Sequence, residues 1–197
     1  PSAPPTLTAP PTDISNQKLL FIGRISHQKG VDILLDAVAQ MPTTVCLDMA
    51  GPMQSKEKKY GQLVDEKIQL LNSMGHKVSL LGSINLNTFD ISDYKCCILP
   101  SRYEGFAFLP LELSHLKIPY ILSNCLGHKE LLVSELDLKY SFDTTTDETL
   151  SKLVQNVIAI DVETLSEDFA KIHHARLKRY SNADFIRSYR NLFLKCI

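Results

Sequence analysis

A chain of 197 residues, 44% hydrophobic and 22% charged, is long enough for one large domain or two small ones, with a core that needs no covalent staples. Its 21 Lys and Arg against 22 Asp and Glu leave a formal net charge of −1, which excludes the basic footprint of a nucleic-acid binder and the acidic tail of a disordered one. No apolar run nears the ~18 residues of a membrane span, and the start lacks the basic-then-apolar order of a signal peptide.

Residues 1–17 hold five prolines in their first eleven positions and read as a proline-rich linker or arm. Opening on Pro1, the chain reads as a piece of something longer. Residues 18–197 then alternate. Leu19 to Ile22 is a short apolar strand ending at Gly23. Val31 to Ala39 carries a helical stripe at 31, 34, 35 and 38. Thr44 to Met49 is a strand closed by Gly51-Pro52, and Lys56 to Met74 a long amphipathic helix stopped by Gly75. Val78 to Leu81 and Cys96 to Leu99 are strands, residues 106–117 a helix, and Tyr120 to Leu122 a strand. Lys129 to Val133 reads as a short helix and Lys139 to Phe142 as a strand. Helices follow over Glu148 to Ile160, Glu163 to Arg179 and Ala183 to Leu194, the last with Phe185, Tyr189 and Phe193 at spacing four. Short strands buried on both faces and separated by helices predict an α/β, Rossmann-like parallel sheet with helices on both faces.

Five cysteines, two of them adjacent and none in C-x-x-C spacing, point to reduced thiols acting as small hydrophobes. Neither a disulfide framework nor a zinc site is expected.

In such a sheet, ligands bind beyond the carboxyl ends of the strands. After the first strand comes Gly23-Arg24-Ile25-Ser26-His27-Gln28-Lys29-Gly30, then a helix. A helix N-terminus suits phosphate, and Arg24 and Lys29 add charge to it; a solvated turn with two surface cations is the competing reading. Neither G-x-G-x-x-G nor G-x-x-x-x-G-K-[ST] occurs, so dinucleotide redox chemistry and P-loop hydrolysis lose support. After the Cys96–Leu99 strand, Glu104 lies in a loop and Glu112 in the helix that Pro110 opens. Eight positions at a helical rise separate them by about 12 Å. That exceeds the about 5–9.5 Å of a glycosidase pair but suits the two ends of one long ligand. A nucleotide sugar has hydroxyls at both ends and a diphosphate between them. The competing reading makes Glu104 a helix-end charge and Glu112 a surface residue.

In combination, these residues resemble the C-terminal, donor-binding domain of a retaining GT-B glycosyltransferase of family 4 (glycosyl transferases group 1). The likeness runs from about 18 to 135. It takes in the G-R-x-x-x-x-K-G loop, Ala50-Gly51-Pro52, Leu80-Leu81-Gly82, Pro100-Ser101 with Glu104-Gly105-Phe106 and Glu112, Pro119-Tyr120-Ile121, Ser123-Asn124, Gly127 and Glu130. The resemblance implies that Arg24 and Lys29, next to Gly23, bind the donor diphosphate and stabilise charge on the departing nucleotide. It implies that Glu104 contacts the donor sugar and that backbone N–H groups of Gly105, Phe106, Ala107 and Phe108 meet sugar and phosphate. Glu112 would hold the ribose, while Gly82, Ser83 and Ile84 would border the base. Arg24, Lys29 and Glu104 are then the catalytic set, with no metal and no cofactor beyond the donor itself.

Three positions depart from the family pattern. Lys117 replaces a glycine, Phe106-Ala107-Phe108 is bulkier than the usual Gly-Phe-Gly and narrows the sugar pocket, and Asn182 stands where many members carry tryptophan. The implied partners are a nucleotide-sugar donor, a glycan or lipid-linked acceptor, and an N-terminal acceptor-binding domain or subunit toward which helices from about 163–197 would pack. No nucleic acid is implied. The implied setting is the cytoplasm, with peripheral contact at the cytosolic face of a membrane; Arg176-Leu177-Lys178-Arg179 could touch anionic lipid or form a solvated helix end. His173-His174 reads as a solvated face, since neighbours on a helix point apart. His27 reads as an exposed turn residue or a donor contact, and His128 faces either the cleft or solvent. The alternatives to transfer are a non-catalytic donor-binding subunit and a nucleotide-sugar epimerase of similar architecture.

Overall fold

The computed structural model describes residues 18–180 apart from 55, 56, 87, 145 and 146. The proline-rich arm, Asn182 and the expected helix Ala183 to Leu194 lie outside the described residues. Six strands form one sheet: β1 (Lys18–Ile22), β2 (Cys46–Ala50), β3 (Lys77–Gly82), β4 (Tyr94–Leu99), β5 (Tyr120–Ser123) and β6 (Ser141–Phe142). Their order is β3-β2-β1-β4-β5-β6, and every neighbouring pair is parallel. The expected α/β Rossmann-like sheet is therefore present. Helices α1 (Val31–Ala39), α2 (Lys58–Ser73), α3 (Leu109–His115), α4 (Leu126–Lys129), α5 (Glu135–Lys139), α6 (Asp147–Ala159) and α7 (Val162–Arg179) complete it.

The central strands are buried on both faces: Leu19, Leu20 and Phe21 in β1, residues 95–99 in β4, and all of β5. Alternate strand residues point to opposite faces, so continuous burial requires cover on both sides. One helical layer joins α1 to α2 and α6; another joins α7 to α3 and α5. Right-handed crossovers produce this division, because the chain turns back between β1 and β4. Edge strand β3 is less covered and leaves Leu80 and Leu81 exposed. Cys96 and Cys97 are buried free thiols, and burial pushes Cys96 up to about 12, which keeps it unreactive.

Several expectations need correction. The helix expected over 106–117 runs only over Leu109–His115. Proline lacks an N–H and fits only the first turn, so the helix begins beside Pro110 and residues 106–108 stay in the loop. Lys117, at φ 57, ends it. The short helix expected over Lys129–Val133 lies earlier, at Leu126–Lys129. A further helix, α5, begins at Ser134 with a capping box closed by Asp137, and it shortens the next strand to Ser141–Phe142. His173 is buried rather than solvated, because α7 lays that side on Tyr120 and Phe169. Arg176 is also fully buried and pairs with Asp137, so of the basic run only Lys178 and Arg179 are exposed. α7 packs on this domain's own α3 and α5.

Among the described residues, no helix is long and apolar enough to cross a membrane.

Candidate functional site

The strand order reverses between β1 and β4, so the loops leaving their carboxyl ends part and open a crevice. A cavity of ≈ 240 Å³ occupies that crevice, walled by Lys29 from the first loop, Ser101, Glu104, Phe106, Ala107 and Phe108 from the second, and His128 from α4. A larger cavity of ≈ 320 Å³ lies between α3 and α7, next to Lys117 and Pro119 at the amino end of β5. It is away from the strand ends where the two loops converge.

Glu104 is the centre of the first cavity. Its Oε1 accepts from Lys29 Nζ at 2.6 Å and from the Ser101 hydroxyl at 2.6 Å. Its Oε2 has no partner among the described residues. The ion pair is half sheltered, with the Lys29 side chain 23% exposed and the Glu104 side chain 9%. It joins residues 75 positions apart, across the point where the sheet changes direction. Gly127 lets α4 approach this loop, since a Cβ there would stand 2.6 Å from the Glu104 carbonyl oxygen.

A second contact set fixes the two loops to each other. Arg102 reaches both carboxylate oxygens of Asp32 at 2.7 and 2.6 Å and donates to the His27 carbonyl at 2.8 Å. Its backbone N–H donates to the Gln28 carbonyl, and the Gln28 amide donates to the Tyr103 carbonyl. Tyr60, from α2, donates to Asp32 at 2.7 Å. Burial pushes the Asp32 carboxyl up, but the Arg102 and Tyr60 hydrogen bonds outweigh it and hold the group below its ordinary value.

Lys29, Glu104, Phe106, Ala107 and Phe108 are thus brought together, with Gly105 on the same loop. Arg24 and Glu112 are exposed and stand outside the wall of the cavity; among the described residues Arg24 reaches only Gln28, at 3.5 Å. The loops after β1, β2 and β3 are chained by backbone bonds, Gly23 N–H to the Ala50 carbonyl and Gly51 N–H to the Gly82 carbonyl. That chain places Gly23, Gly82, Ser83 and Ile84 at the same carboxyl edge, with Gly82 and Ser83 exposed and Ile84 half-buried. His27 is exposed, while His128 is buried and faces the cavity. Sequence reasoning missed Ser101 and the Arg102–Asp32 clamp as parts of the site. The only signal for the clamp was an arginine three residues past the strand. Among the described residues, no cluster of three or more His, Cys, Asp or Glu side chains could hold a metal ion.

A sequence model of the family described as glycosyl transferases group 1 matches residues 10–176. An uncharacterized glycosyltransferase of Methanocaldococcus jannaschii, MJ1607, is 29% identical over 126 residues, which make up 60% of this chain and 30% of that protein. Among solved structures, Anabaena Alr3699/HepE in complex with UDP and glucose superposes with a TM-score of 0.75 at 20% identity, covering 93% of this chain and 49% of that one. Sucrose-phosphate synthase from Thermosynechococcus elongatus superposes with a TM-score of 0.70 at 22% identity, covering 92% and 47%. The chain therefore spans 30% of the curated relative's length and about half of these solved chains.

Proposed function

This chain belongs to the glycosyl transferases group 1 family, and we propose that it is the donor-binding half of a glycosyltransferase that moves a hexosyl unit from a nucleoside diphosphate sugar to a hydroxyl acceptor with retention. The observation that carries this reading is the meeting of Lys29 and Glu104 at the reversal of the sheet. An elongated anion laid across the strand ends would put its diphosphate against Lys29, with Arg24 on the same loop, and its sugar against Glu104 and the 105–108 backbone. Glu112 would hold the ribose, and Gly82 to Ile84 would border the base. Transfer breaks the bond from the anomeric carbon to a phosphate oxygen, the acceptor oxygen bonds on the face that the diphosphate leaves, and the acceptor's hydroxyl proton passes to the departing diphosphate. Negative charge then grows on the diphosphate, where a fixed cation stabilises it without reorganisation. The likeness to a chain in complex with UDP and glucose supports the donor class.

The acceptor, a glycan or a lipid-linked sugar, would meet a second domain or subunit across the crevice. A soluble nucleotide-sugar donor fits reaction in the cytoplasm, with the exposed Lys178 and Arg179 able to touch an anionic membrane surface. Thermal shift of this chain against UDP, GDP, ADP and their common sugars tests the reading, because binding to the folded state raises its apparent stability. At least one nucleotide sugar should stabilise more than its parent nucleotide; no shift with any of them refutes it. Transfer to a labelled acceptor by the longer protein would establish the activity. Binding without turnover there would indicate a donor-binding subunit, and donor conversion without acceptor an epimerase.

A further inference from the structure

His128 Nδ1 lies 2.9 Å from the Ser123 carbonyl oxygen and 3.0 Å from the Ser123 hydroxyl. A carbonyl oxygen only accepts, so the ring carries its hydrogen on Nδ1. The Ser123 hydroxyl donates to the Ser101 carbonyl at 2.5 Å and can meet Nδ1 only as an acceptor. Burial holds the imidazole below its ordinary pKa; the Ser123 carbonyl and the Glu104 charge oppose this and are outweighed. The ring is therefore neutral near pH 7, and a neutral Nδ1–H imidazole has a bare lone pair at Nε2. No described residue donates to Nε2, on the ring edge opposite Ser123. Glu104 Oε2 is a second unpartnered acceptor in the same cavity wall.

Two open acceptors beside a lysine ask for a ligand with hydroxyl donors at one end and an anion next to them. We propose that His128 is a specificity-determining residue, accepting a hydrogen bond at Nε2 from one hydroxyl of the donor sugar while Glu104 Oε2 accepts from another. This rests on the donor reading given above. A buried acceptor of this kind discriminates because an analogue without the matching hydroxyl leaves it unpaired.

The test uses the 197-residue chain and its His128→Asn variant. Asparagine can still donate to the Ser123 carbonyl but offers nothing at the Nε2 position. Calorimetry with UDP, UDP-glucose, GDP and GDP-mannose should show a nucleotide sugar bound more tightly than its nucleoside diphosphate by the wild type. His128→Asn should weaken the nucleotide sugar roughly 5–10-fold and leave the nucleoside diphosphate unchanged. Nitrogen NMR of the wild-type imidazole at pH 7 should show the Nδ1–H tautomer, with the Nε2 resonance moving on addition of the nucleotide sugar but not of the nucleoside diphosphate. An unchanged sugar preference in His128→Asn, or an Nε2–H tautomer, overturns the assignment of His128 alone. Absence of any nucleotide-sugar binding by the wild type overturns the donor reading and this assignment with it. If the variant does not fold, the wild-type tautomer and its ligand response decide the matter.

Discussion

Lys29 and Glu104 sit 2.6 Å apart through Oε1, so the ammonium that would meet a diphosphate is already held by a carboxylate oxygen, while Oε2 stays open. Read separately from sequence, one was a phosphate contact and the other a sugar contact, and Glu104→Gln would then affect only sugar-bearing ligands. Their pairing changes that expectation. A diphosphate must compete with the carboxylate for the ammonium, and charge-assisted bonds of this kind are the strong ones. Glu104→Gln should therefore tighten UDP or GDP binding, roughly two- to tenfold, while removing whatever extra affinity the sugar provides. Calorimetry on the variant checks both halves; weaker nucleoside diphosphate binding would mean that the carboxylate helps rather than shields. His173 gives a second, independent expectation. Burial lowers its pKa to about 4, whereas the unfolded chain titrates near 6.5. Between those values the unfolded state binds a proton that the folded state does not, so stability falls as pH drops through that window. The loss by pH 4 is on the order of 3 kcal/mol. His173→Phe, in the ring company of Tyr120 and Phe169, should flatten the decline. Urea midpoints at pH 7 and pH 4.5 measure it, and an equal drop in both proteins would remove His173 as the cause.

Two helices show how far local sequence reaches. α2 ends in a turn where Gly75, at φ 95, donates to the Asn72 carbonyl and His76 donates to the Leu71 carbonyl. α3 ends in the same turn, with Lys117 donating to the Ser114 carbonyl and Ile118 to the Leu113 carbonyl. Here a lysine holds φ 57, a left-handed conformation that favours glycine. Lys117→Gly should stabilise the chain by about 1 kcal/mol and raise Tm, as seen by calorimetry at pH 7; a lower Tm would mean that the lysine side chain makes a compensating contact. The odd lysine was legible in sequence against the family pattern, and so were the strands, because apolar runs bounded by glycine and proline are local signals. α5 was missed because a five-residue helix carries too few positions to show a period; its capping pair, Ser134 and Asp137, was the available sign. Arg176 and His173 were misjudged for a different reason. Each is polar on a charged helix, and its partner, Asp137 or Ser114, lies 39 or 59 positions away. Periodicity cannot report such a pairing, and only the packed tertiary structure does.

At the scale of the whole domain, the sheet divides at β1 and β4, and a ligand in that crevice touches both halves at once. Holding reacting groups in register across such a seam is worth more than any one contact, since small misplacements lower affinity and rate together. The Arg102–Asp32 clamp bridges the seam. It ties the β4 loop to the first turn of α1 through two short bonds and to the β1 loop through the His27 carbonyl, while Tyr60 fastens Asp32 from α2. Lys29 and Glu104 ride on the two loops so joined. Arg102 lies outside the cavity wall, so its loss should act through position rather than contact. Arg102→Met should weaken nucleotide-sugar binding about tenfold, and Arg102→Lys, which keeps the charge but not the fork, should recover only part of it. The double variant Arg102→Met with Lys29→Met should lose little more than Lys29→Met alone, because both remove the same cation from the ligand's reach. Calorimetry across this cycle decides the point: additive losses would mean that Arg102 acts on binding by a route independent of Lys29, and unchanged affinity in Arg102→Met would leave the clamp a contributor to stability alone.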